Sequence, residues 1–149
     1  MSFSNIERFD EIVGQAFARL YQSFPVPVTL QAKDFVGGDN VYVKADFNDV
    51  MTGKVADNTT TPDAEFCIAC LKWLVVSGYV TANDAHYSHL PSAVLTAKGL
   101  EALKATPASL EMDTPIGERI VQAVKTEGRH GLRALVGHAL GIGLQLVGR

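Results

Sequence analysis

The stretch "EFCIACLKW" holds Cys67-x-x-Cys70, and "AHYSHL" downstream holds His86-x-x-His89. Two thiolates and two imidazoles can form a structural zinc site, if all four meet one ion at roughly 2.0–2.3 Å. A Cys-x-x-Cys pair alone also suits a redox centre, where a helix N-terminus stabilises the thiolate. The third account is plain packing, since a buried free cysteine behaves as a small hydrophobe. On a helix, with about 100° per residue, Phe66, Cys67, Cys70, Trp73 and Leu74 fall on one side. Glu65, Ala69, Lys72 and Val76 fall on the other. Both thiols thus lie in the apolar stripe that holds the aromatic rings, which is a sufficient reason for them. The zinc order is inverted here: the cysteines lie on a helix and the histidines near a hairpin tip. The redox motif belongs at a helix start, and Cys67 is well inside. No metal ligand, cofactor-binding residue or catalytic residue is assigned.

Other catalytic patterns are missing from the sequence. "VGGDN" and "GHALGIG" lack the spacing of a phosphate-binding loop. There is no Gly-x-Ser-x-Gly nucleophile turn. Carboxylate pairs such as Asp10 with Glu11 and Asp46 with Asp49 suit solvated helix faces. The expectation is a protein without enzymatic activity, although a site built from distant residues stays open.

The elements that must position these residues are legible from caps and periodicity. Ser4 with Glu7 three residues on forms a capping box. Ile6, Phe9, Val13, Ala16, Phe17, Leu20 and Phe24 then recur with a period near 3.6, until Pro25 and Pro27 end the helix. "VPVTL" reads as a short strand, "VGGDN" as a turn, and "YVKADFNDVM" as an ambiguous segment leaning to a short helix. Thr61 caps a helix that starts at Pro62 and runs to about Ser77, with Gly78 as its left-handed stop. "YVT" and "AVLT" read as two strands joined by a loop over 82–92. Thr96 caps a helix to about Lys104, broken by Pro107. Thr114-Pro115 opens another, with Ile116, Ile120, Ala123 and Val124 on one side. Residues 130–147 form the last.

At 149 residues with 47% hydrophobic composition, the chain has enough apolar material for a core without disulfide or metal staples. No run reaches the roughly 18 apolar residues that span a bilayer. No basic segment followed by an apolar run opens the chain, so no secretory leader is expected. Two neighbouring cysteines in an apolar segment suit a reduced, cytoplasmic protein.

The segment "FCIACLKWLVVSGYV…SAVLTAKGLEAL" carries a resemblance. An apolar helix ends in Ser77-Gly78-Tyr79-Val80, a hairpin follows, and Leu95-Thr96-x-x-Gly99-Leu100 opens the next helix. With the order of the preceding elements, residues 5–105 resemble the winged-helix (winged helix-turn-helix) superfamily, whose bacterial members show a similar pattern. The resemblance implies a helix-rich α+β fold: a winged-helix-like domain over 1–109 with a small antiparallel hairpin, and a C-terminal extension of two helices over 110–149. It also implies that the helix from Pro62 sits where many relatives read DNA.

DNA reading needs cations on that surface. The outward face of the helix carries Glu65, Ile68, Ala69, Lys72 and Val76. Across residues 55–97, Lys72 is the only Lys or Arg, against Asp57, Asp63, Glu65 and Asp84. Such a surface repels phosphate and suits a protein contact. A misphased helix would bury the apolar members instead, and both placements stay open from sequence. His86 and His89 read as solvated loop residues.

The C-terminal helix poses a separate question. Leu132, Leu135, Val136, Ala139, Leu140, Leu146 and Val147 share one face. Ala134, Gly137 and Gly141 form a smooth ridge on the other, suited to close helix packing. Each internal glycine costs ~1 kcal/mol against alanine, which packing must offset. Docking on the chain's own domain, sharing between two subunits, and lying on an anionic membrane are the three readings. The membrane reading is disfavoured by an apolar face without Trp or Phe. Net charge is −7 over residues 1–118 and +4 over 119–149. The expected partner is therefore a protein or a second copy of the chain. The alternative is a transcriptional regulator that binds DNA through the basic C-terminal region.

Overall fold

The computed structural model describes residues 4–38, 41–42, 48, 51–52, 60–106, 113–126 and 129–147. The ambiguous segment 42–51, most of the loop before Pro62, the break at Pro107 and the helix end at Gly128 fall largely outside them. In chain order the elements are α1 (Asn5–Ser23), β1 (Val28–Gln31), α2 (Lys33–Val36), α3 (Pro62–Val76), β2 (Val80–Thr81), β3 (His89–Leu95), α4 (Ala97–Lys104), α5 (Ile116–Lys125) and α6 (Arg129–Val147). Among the described residues the architecture is helix-rich α+β with one small three-stranded antiparallel sheet.

Local chemistry sets the helix starts. The hydroxyls of Ser4, Thr61 and Thr96 accept from the backbone N–H groups of Glu7, Ala64 and Gly99, each satisfying one donor that a helix start leaves free. α3 stops where Gly78 turns with φ +86°, a conformation that a side chain would resist. Thr96 also donates its hydroxyl to the Gly78 carbonyl, so the end of α3 and the start of α4 are tied together.

The sheet order is β1-β3-β2. β3 is the central strand, pairing Val28 with Ala93 and Leu30 with Leu90 on one edge and Val80 with Leu95 on the other. Between those first two pairs β3 advances one residue more than β1. Ser92 lies in that interval with φ +55°, as in a β-bulge. The extra residue resets the alternation, so Leu90, Ala93 and Leu95 all face the core. β3 is longer than the strand expected over 93–96, because pairing with β1 extends it toward His89.

α5 and α6 pack on α1, and α6 also lies on α4 and α5. Their buried residues Ile116, Ile120, Leu132, Val136 and Ala139 belong to the same apolar cluster as Val13, Phe17, Leu71 and Leu74. The expected extension over 110–149 therefore shares one core with the rest. Two glycines explain the close fit: a Cβ on Gly14 would meet Leu132 Cδ1 at 2.6 Å, and one on Gly117 would meet Tyr21 Cδ2 at 2.7 Å. No helix among the described residues is long and apolar enough to cross a membrane.

Candidate functional site: the exposed arc of α3 and its two flanking grooves

α3 packs on α1, α2, β2 and β3, so its buried arc is wide. Ala64, Cys67, Ile68, Cys70, Leu71 and Leu74 are buried. Glu65, Ala69, Lys72 and Val76 are exposed, with Val76 at 86%. The expected outward face needs one correction: Ile68 is only 7% exposed. It lies about 300° around from Glu65, at the edge where the arc turns toward the sheet and α2. A second correction concerns the expected apolar stripes, that of α3 at Trp73 and that of α1 at Ile6. Trp73 is 43% exposed and Ile6 is 68% exposed.

Cys67 and Cys70 lie where the helical projection puts them, in the core. Burial pushes the thiol of Cys67 up to about 12, reinforced by Cys70, and that of Cys70 up to about 11. A thiol held so firmly protonated is a poor nucleophile. His86 and His89 lie on the hairpin. Their rings stack at 4.5 Å, with His86 exposed and His89 half-buried. Among the described residues no group of three or more His, Cys, Asp or Glu is placed to hold a metal ion.

The exposed arc forms a ridge between two grooves. The first, about 420 Å³, lies toward α1 and is lined by Ile6, Phe9, Phe66, Ala69 and Trp73. It is apolar, and its rings pack on one another. Phe9 meets Trp73 edge-on at 5.1 Å, and Trp73 stacks on Tyr79 at 6.2 Å. Arg8 rests 4.3 Å from the Phe66 ring centre while pairing with Asp63 at 2.9 Å, so its charge is already matched. The second groove, about 510 Å³, lies toward the hairpin loop and is lined by Glu65, Ile68, Lys72, His86 and Tyr87. Tyr87 is 77% exposed. Ala69 borders both grooves. Sequence reasoning found the ridge but missed both grooves. The α1 groove depends on the crossing of α1 and α3, and its trace in the chain is the pair Ile6 and Phe9, three residues apart on one face of α1.

The other expected contact feature, Ala134, Gly137 and Gly141, is not what docks α6. Ala134 and Gly137 are exposed and Gly141 is half-buried. A Cβ on Gly137 or Gly141 would meet nothing within 4 Å. The helix docks on its own domain through the opposite side, with Leu132, Val136 and Ala139 buried. Gly143 lets the helix pass directly over Tyr79, whose hydroxyl donates to the Leu140 carbonyl at 2.8 Å. Leu144 and Leu146 at the helix end stay exposed.

Compared with protein-family models, curated proteins and solved structures, the chain matches none.

Proposed function

We propose that the chain is a non-catalytic protein-interaction or oligomerising module on a winged-helix-like scaffold, acting through the exposed arc of α3. The element order and the β1-β3-β2 sheet support the scaffold. The observation that carries the function is the chemistry of the arc: one cation, one anion, and apolar side chains that open into an apolar groove. A face that read DNA would present several Lys or Arg to phosphate. Here Lys72 stands alone on α3, and the loop from Ala82 to Ser88 contributes Asp84 and no Lys or Arg. Half-exposed aromatic rings packed on their neighbours, such as Trp73, are instead the groups that anchor protein partners. Two buried free thiols suit a reducing, cytoplasmic setting.

The second reading is a transcriptional regulator that uses the basic C-terminal region, favoured by the +4 charge of residues 119–149. Against it, Arg133 lies 3.8 Å from both Glu7 and Asp10 of α1, which offsets its charge locally. Nonspecific duplex DNA titrated at several salt concentrations tests the choice. The protein-contact reading expects weak binding that Lys72→Ala leaves unchanged. A steep salt slope would defeat it, pointing to the C-terminal region if Lys72→Ala leaves the slope unchanged and to α3 itself if Lys72→Ala makes it shallower.

A further inference from the structure

We propose that the partner of the α3 arc is a second copy of this chain, bound through an antiparallel, two-fold pairing of α3 with α3. The inference rests on the reading of that arc as a protein-contact face. Its basis is the arrangement of charge along the ridge. Glu65 and Lys72 are both exposed, and neither forms an ion pair with another described residue. They stand seven positions apart, about two turns or roughly 10.5 Å along the helix, and differ by only about 20° in direction. Ala69, the smallest side chain on the ridge, lies between them.

A two-fold interface places the same patch on both subunits, so the patch must complement itself. A two-fold axis crossing α3 beside Ala69 does this. It sets Glu65 against Lys72 of the partner subunit, and Lys72 against Glu65 of the partner subunit. Alanine at the crossing lets the axes approach to the short end of the usual 8–10 Å range. A parallel pairing would set Glu65 against Glu65 and Lys72 against Lys72, which repel.

The apolar groups follow the same symmetry. Trp73 and Val76 lie at the C-terminal end of the ridge. Ile6 lies beside the N-terminal half, across the groove from Phe66 and Ala69. Antiparallel pairing brings Val76 of one subunit toward Pro62 and Ile6 of the partner subunit. The two most exposed aliphatic side chains around the ridge, Ile6 at 68% and Val76 at 86%, are thereby covered together. The apolar groove gives Trp73 room to seat a neighbouring side chain. Such a dimer also covers the surface that a duplex would otherwise meet.

The test uses the full chain, with sedimentation velocity as a function of concentration and circular dichroism to verify folding. Wild type should run as a monomer–dimer equilibrium. Glu65→Lys and Lys72→Glu, each alone, turn two attractions into two repulsions and should weaken dimerisation by about tenfold or more. Mixing these two variants should restore a heterodimer, because every facing pair is then opposite in sign. The double variant E65K/K72E should restore the homodimer. Wild type that stays monomeric, or single reversals that dimerise like wild type, would overturn the proposal. The same samples are titrated with duplex DNA to separate the two levels of failure. A monomer without salt-dependent DNA binding overturns self-pairing alone. Binding that Lys72→Glu abolishes overturns both self-pairing and the protein-contact reading.

Discussion

The same substitution at two glycines of one helix should have opposite signs. In α6, alanine at Gly137 enters open space, whereas alanine at Gly143 enters the ring of Tyr79. Intrinsic helix preference favours both changes by ~1 kcal/mol. At Gly137 nothing opposes that gain, so Gly137→Ala should stabilise the protein by up to about 1 kcal/mol. At Gly143 an added Cβ would lie 2.5 Å from the Tyr79 hydroxyl and 2.7 Å from its Cζ. The ring has little freedom to retreat. It is 2% exposed, with Phe17 edge-on at 6.1 Å, Trp73 stacked behind it, and the Lys98 ammonium 4.3 Å from its centre. Overpacking of this kind costs about 1–3 kcal/mol. Shifting the ring also strains the Tyr79–Leu140 hydrogen bond, worth about 1 kcal/mol. The net expectation for Gly143→Ala is a loss of about 1–3 kcal/mol after the helix gain is subtracted. Urea unfolding followed by circular dichroism reads both variants, with the midpoint moving up for one and down for the other. For a chain of this size each kcal/mol shifts the melting temperature by roughly 2–4 °C. If both alanines stabilise equally, α6 does not dock over Tyr79, and the reasoning from its close approach fails.

Tyr79→Phe keeps the ring but leaves the Leu140 carbonyl without its hydroxyl donor, and should cost about 1 kcal/mol in the same assay. Thr96→Ala removes both the cap on Gly99 and the link to Gly78, so a loss of about 1–2 kcal/mol is expected, toward the upper end for a cap. Cys67 and Cys70 should resist alkylation in native protein at neutral pH and react fully in denaturant; fast native labelling of either would refute their core placement. Their raised thiol values also set a pH dependence. Folding favours the protonated thiols, so this contribution is complete below the ordinary thiol range, roughly pH 8.5. It declines as pH rises from there toward about 12. Replacing both cysteines by alanine should flatten that alkaline loss of stability, and an unchanged alkaline limb would show that the thiols do not cause it.

How much of this molecule its sequence determined depends on the range of the interactions involved. The caps at Ser4, Thr61 and Thr96 and the stop at Gly78 act over three or four residues, so the order of amino acids is enough to locate them. The helical period likewise placed Cys67 and Cys70 with Leu74 in a stripe that proved to be core. What the period could not settle was the width of that stripe. α3 is covered by α1 on one flank and by α2 and the sheet on the other. Ile68 is therefore drawn inside, while Trp73 stands at the edge of a groove. The glycines of α6 show the same limit. Gly137, Gly141 and Gly143 are alike in sequence, and only the path of the helix over Tyr79 makes Gly143 the one that must lack a side chain. The bulge at Ser92 is also a tertiary decision, because it exists only where β1 pairs with β3. Local propensity is encoded within a few residues, but which face of an element meets a neighbour depends on partners distant in the chain.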